Sequence, residues 1–194
     1  MDANVGPTAV WFTGIYEFGT IEGATGFDDT DVSAYLLGLG GSTDVDKINI
    51  HGQIFYASGQ DPDEEDLTAF FVPAGQSYYW AEIMGYGIFD NQVSNASCAD
   101  KISDIMALNL GVSFKASDKL TLNGDLWFAQ LAEDDANGNT DLGTEIDLSA
   151  NYKLFDNVTL DVVAAYLVAG DATTGESDDE ADPMEIGTRI SLSF

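Results

Sequence analysis

The chain has 194 residues, with 34 Asp and Glu against 6 Lys and Arg, for a formal charge of -28. That length bounds one domain or a piece of one, and that charge excludes nucleic acid and anionic surfaces as natural partners. No run of about 18 apolar residues occurs, which excludes a membrane-spanning helix.

No secretory signal peptide is visible, so a membrane reading takes the chain as mature or trimmed, with Met1 an added start residue. The lone Cys98 excludes an intrachain disulfide and belongs to no metal or redox motif; it reads as a small loop residue. High charge is compatible with disorder, but 11% aromatic residues and regular alternation argue for a folded chain.

Ala9 to Phe18 reads as a first strand, with Phe12, Gly14, Tyr16 and Phe18 on one face and Thr13 and Glu17 on the other. A polar, Gly-rich segment follows over 19–31. Val32 to Gly41 sets Tyr35, Leu37 and Leu39 against Ala34, Leu36, Gly38 and Gly40. Neither of its faces carries charge, so its register is weakly specified. After a short turn at 42–46, Lys47 to Ser58 alternates Ile48, Ile50, Ile54 and Tyr56 with Asn49, His51, Gln53 and Phe55.

The stretch 59–101 is the longest irregular one. It opens on an acidic run, Asp61 to Asp66, and carries the cluster Tyr78, Tyr79 and Trp80. A loop that long inside a compact domain is functional or disordered, and its aromatics favour function. A short helix or extra strand is expected around Trp80 to Phe89, and the loop is long enough to enter a channel as a constriction.

The second half is more regular. Ile102 to Lys115, Lys119 to Leu131, Leu142 to Leu154, Val158 to Ala169 and Met184 to Phe194 all alternate. Tight turns at 116–118 and 155–157 separate them from longer acidic loops at 132–141 and 170–183.

Connections therefore alternate in length, as in barrels with short periplasmic turns and long outer loops. The expectation is an all-β chain: an antiparallel up-and-down transmembrane β-barrel of about eight strands, with 1–194 as a single domain and 59–101 as an outer or constriction loop. An even strand count puts both termini in the periplasm. The last strand resembles the closing strand of bacterial outer-membrane barrels. In that family a terminal aromatic, here Phe194 after Leu192 and Ile190, is the signal read by the barrel-assembly machinery. A soluble acidic β-sandwich is the opposite reading, with the same alternation turned inside out.

Charge sorts the faces. Asp125, Glu145, Asp147, Asp161, Glu185 and Arg189 sit on the polar sides of their strands, with His51, Lys115 and Lys153. Facing lipid, such groups are costly; facing a lumen, they pair or meet water. They are the expected pore lining. Phe114, Tyr152 and Phe194 fall toward the periplasmic rim of the apolar side; Tyr16, Tyr35, Tyr56, Phe128 and Tyr166 fall toward the outer rim. Two such girdles suit the two membrane interfaces.

No nucleophile triad or phosphate loop is present, so the chain does not read as an enzyme, and no cofactor is expected. His51 is the only His, and it reads as a lumen hydrogen-bonder rather than a catalyst. Asp135, Asn137, Asn139 and Asp141 alternate like the first half of a calcium loop. Thr140 stands where the turn Gly belongs, however, and Ile146 where the bidentate Glu belongs.

One stretch resembles a family. Tyr56-Ala57-Ser58-Gly59-Gln60-Asp61-Pro62-Asp63, followed by Phe70, Phe71, Pro73, Gly75, Tyr78 and Tyr79, is similar to the C-terminal half of alginate-export-type outer-membrane porins. The resemblance runs from about Ile48 to Phe194. It implies a monomeric barrel wider than eight strands that transports small or anionic solutes. The chain is about half the family's length and lacks the Arg and Lys lining of an anionic-polysaccharide conduit. The architecture carries over and the alginate does not. The resulting expectation is a bacterial outer-membrane porin for small solutes or ions, with weak cation preference. Membrane lipid surrounds it, and its acidic loops meet lipopolysaccharide phosphates only through bridging divalent cations. A small closed barrel with a structural or adhesion role is the alternative.

Overall fold

The computed structural model describes residues 2–25, 28–61, 63–72, 80–85, 87, 102–175 and 182–194. Pro62, Pro73, Gly75, Tyr78, Tyr79, Phe89 and Cys98, singled out above, lie outside them.

Nine strands form the sheet: β1 (Asp2–Val5), β2 (Thr8–Ile21), β3 (Thr30–Val45), β4 (Ile48–Ala57), β5 (Ile105–Lys115), β6 (Leu120–Gln130), β7 (Asp141–Phe155), β8 (Val158–Ala169) and β9 (Met184–Leu192). A single helical turn, α1 (Asp171–Thr174), lies in the last connection. The strands follow one another in sheet order, each antiparallel to the next, with β1 and β9 at the edges. The expected architecture is therefore present, with nine strands in place of about eight. The added strand is β1, four exposed residues folded back on β2 through Gly6, whose φ is 63°. Four residues are too short to show alternation, which is why the sequence conceals it. Asp2 pairs with Trp11, so the described chain starts partway along the sheet and not at the short-turn rim.

Strands β2 to β9 are 9 to 16 residues long. About 9–11 tilted residues span a membrane's hydrocarbon core. The β1–β2, β3–β4, β5–β6 and β7–β8 connections are tight and share one end of the sheet. The connections at 22–29, 58–104, 131–140 and 170–183 share the other.

Burial settles which side is which. Leu108, Leu148, Val162 and Ile190 are exposed, while Asp147 is only 8% exposed. Outward rows continue across strands in register: Ile54 beside Leu108 beside Phe128, and Leu126 beside Ile146 beside Tyr166. An apolar face this continuous demands an apolar surround. This is the reverse of a soluble sandwich. The inner face instead carries Ala34, Ala57, Ala107, Ala129 and Ala165 among its polar groups, and all five are buried.

Candidate functional site on the inner face

In the connection between β4 and β5, the described residues 58–61, 63–72 and 80–85 lie against the sheet. Ser58 forms its neck: its Oγ accepts the Tyr35 N–H at 3.0 Å and donates to the Thr68 carbonyl at 2.7 Å. Its carbonyl accepts the N–H groups of Phe70 and Asp104. Leu67 makes a short parallel bridge to Val32. From there the segment is held at two distant strands. Glu17 on β2 accepts the Phe71 N–H at 3.0 Å. On β7, Glu145 accepts three: Glu82 and Ile83 on Oε1 and Met84 on Oε2, each at 2.7 Å. The described parts of the connection form a strap on the polar face.

Aromatic packing seats the strap. Trp80 stands between Phe55 of β4 and Trp127 of β6, edge-on to each, with ring centroids 5.4 Å apart in both pairs. Met84, Ala81 and Ile102 are buried with them. Residues 80–85 are turns and irregular backbone, not the expected helix or strand.

Each predicted lining residue can now be placed. Glu145 is fully buried beneath the strap, and its charge is met by backbone dipoles. Asp147, two residues on, accepts Glu82 N–H at 3.2 Å. Asp161 is buried between β7 and β9: Asn151 donates to it at 2.5 Å and Arg189 at 3.2 Å. Glu145, Asp147 and Asp161 are thus all three buried on the inner face. Backbone N–H groups answer Glu145, and Asn151 and Arg189 answer Asp161, whereas Asp147 Oδ1 is buried without a hydrogen-bond partner among the described residues.

Asp125 is more open. It pairs with His51 Nε2 at 2.9 Å and accepts Asn109 Nδ2 at 3.0 Å, while His51 Nδ1 lies 3.1 Å from Asn49 Oδ1. Gly111 makes this possible, because a Cβ there would occupy the space of both the imidazole and the carboxylate. Glu185 is half-buried opposite Ala165. Lys115 and Lys153 are exposed at the tight-turn rim, and Lys153 pairs with Asp156 at 3.0 Å.

The aromatic residues lie on the outer face toward its two ends. Tyr16 sits opposite Tyr35, whose ring stacks on Tyr56 at 5.6 Å; Phe128 and Tyr166 continue the row on the outer face. Phe114 and Tyr152 lie near the tight turns, and Phe194 is fully exposed beyond β9. Ile190 and Leu192 of β9 also point outward.

The loop 131–140 uses its acid internally. Asp135 accepts the N–H groups of Asn137 and Asn139 at 2.8 Å each, and those bonds, that to Asn139 foremost, pull its carboxyl below the ordinary value. Asp141 begins β7 opposite Gln130. Among the described residues no group of three or more His, Cys, Asp or Glu is arranged to hold a metal ion. Asp104, at the strap's exit, accepts Ala132 and Glu133 N–H groups, yet burial pushes its carboxyl above the ordinary value.

Glu17, Ser58 and Trp80 hold the strap, a role that the sequence alone did not assign. Glu17 carried a signal, being a lone charge on an otherwise uncharged strand face. Ser58 carried none.

No family model matches the sequence, and no curated protein sequence does. Solved structures of similar fold include two of one outer-membrane protein. OmpT, an outer membrane protein of Vibrio cholerae folded in vitro, is 14% identical with a TM-score of 0.53. Its trimer form is 12% identical with a TM-score of 0.51. Both alignments cover 99% of this chain but only 53% and 54% of OmpT, so the chain spans about half the length of these structures. Such identity speaks to fold alone. The chain has the up-and-down β-barrel fold of bacterial outer-membrane proteins, and the bacterial outer membrane is where that fold, apolar side outward, belongs.

Proposed function

We propose that this sheet is the wall of a water-filled outer-membrane channel through which small solutes or ions diffuse passively, without catalysis. The observation that carries the reading is the strap, a long connection anchored by Glu17 and Glu145 and laid across the polar face. An eight-stranded barrel has an interior just filled by its own side chains. A strap that brings Trp80, Ala81 and Met84 inside needs a wider enclosure. This weighs against the small closed barrel with an adhesive role. The likeness to alginate-export-type porins supports the same width.

Cation preference is weak in this reading. In it, selectivity rests on the acidic outer connections and the overall charge of -28. In the same reading, β9 with Ile190, Leu192 and Phe194 is the strand handed to the barrel-assembly machinery. The acidic loops meet lipopolysaccharide phosphates through bridging divalent cations. Planar-bilayer recording tests the channel: ohmic steps and a reversal potential of cation sign under a KCl gradient are expected. Absence of conductance from folded protein refutes it.

A further inference from the structure

Near the tight-turn end of the inner face, β2 to β5 line an open pocket of about 220 Å³ whose walls include Trp11, Ser42, His51, Gln53 and Asn109. Trp11 is held there by glycine. A Cβ on Gly40 would stand 2.5 Å from Trp11 Cε2, and one on Gly38 3.1 Å from Cζ3. The indole thus fills the room that side chains on β3 would take, and turns its remaining surface to the pocket. From the facing strands come two amides, a hydroxyl and an imidazole.

The chemistry of these walls is selective. An aromatic surface receives C–H groups, Ser42 and Gln53 are each of a type that both donates and accepts hydrogen bonds, and Asn109, whose Nδ2 donates to Asp125 and the Leu126 carbonyl, contributes an acceptor oxygen. No Lys or Arg is among the walls, so a carboxylate or phosphate finds no cation there. The nearest acid, Asp125, is not among the walls, and its Oδ1 is taken by His51 and Asn109. The volume falls below the roughly 300 Å³ at which sites for drug-sized ligands begin. We infer that this pocket is a binding subsite for one neutral, polyhydroxylated ring, that is, a single sugar unit stacked on Trp11. The inference rests on the channel reading for access of solutes to this face.

Saturation-transfer NMR on the full chain, folded in detergent micelles, tests it with D-glucose and D-glucuronate as probes. Glucose is expected to receive saturable transfer, strongest at its ring C–H protons, while glucuronate competes poorly. Trp11→Ala should weaken glucose binding roughly tenfold, Trp11→Phe should retain most of it, and Gln53→Leu should weaken it with the stack intact. Should Trp11→Ala fail to fold, Gln53→Leu and Trp11→Phe carry the test. Equal binding of glucuronate, no saturable glucose transfer, or undiminished binding by folded Trp11→Ala or Gln53→Leu overturns the subsite. No current is needed, so the two readings fail separately. A conducting protein that ignores glucose loses only the subsite, and a glucose-binding protein that never conducts loses only the channel.

Discussion

Met84 donates its backbone N–H to Glu145 at 2.7 Å, so a fully buried acid of the barrel wall is answered by a loop's main chain and not by a base. With Glu82 and Ile83 donating beside it, the carboxylate stands in a concavity of N–H groups of the kind that holds anions. The strap's position across the inner face is thereby tied to one side chain.

Replacing that side chain should release the strap. Glu145→Ala leaves buried donors without an acceptor, at about 1–3 kcal/mol each. Glu145→Gln keeps the shape but sets an amide NH₂ against N–H groups, so it should fall between wild type and Ala. The expected result is larger single-channel conductance and faster proteolysis near residues 80–85, with the sheet's circular dichroism unchanged. Unaltered conductance and unaltered cleavage in Glu145→Ala would mean the strap is held by its aromatic seat alone.

Gly111 and Gly124 make a second comparison, on opposite faces of adjacent strands. A Cβ at Gly111 intrudes on both His51 and Asp125, whereas one at Gly124 meets only Leu148 Cδ2 at 3.4 Å. Gly111→Ala should cost about 1–3 kcal/mol in reversible folding from urea into lipid vesicles. Gly124→Ala should stay within about 0.5 kcal/mol. Equal effects would show that the His51–Asp125 pair has room to move aside.

The membrane orientation is tested by neighbours on β7. Leu148 points outward, 57% exposed, and Ser149 inward. Arg on the lipid face near mid-depth costs about 2–4 kcal/mol. Leu148→Arg should therefore lower vesicle-folding stability by that order, and Ser149→Arg by much less. If the outer face met water, Leu148→Arg would cost nothing.

Alternation made β2 and β4 to β9 legible because lipid and lumen divide each strand by its period of two. It also put His51 and Asp125 on one face, but not together, since their meeting depends on register carried through β5. Glu145 was visible as an inward acid while its role was not. Its partners are main-chain groups 61 residues away in the case of Met84, and backbone N–H groups have no sequence signature. Trp80 stood out as an aromatic, but its seat exists only once Phe55 and Trp127 face each other across β5.

Two loop aspartates should respond to pH with opposite sign. Burial holds Asp104 above its ordinary value of 3.8, against the pull of the Glu133 and Ala132 N–H groups. Its contribution to stability is full below 3.8 and is lost as pH rises through the raised folded value. Asp104→Asn keeps an acceptor oxygen, tolerates the φ of 55°, and removes the buried charge. It should raise Tm at pH 7 and leave it unchanged at about pH 3. Asp135 is lowered by its turn, so it stabilises above 3.8 and loses that contribution as pH falls through its depressed value. Asp135→Asn should lower Tm at pH 7, with the difference shrinking in acid. Thermal melts of both variants at the two pH values decide the matter. A Tm gain for Asp104→Asn that persists in acid would place its effect in packing and not in charge.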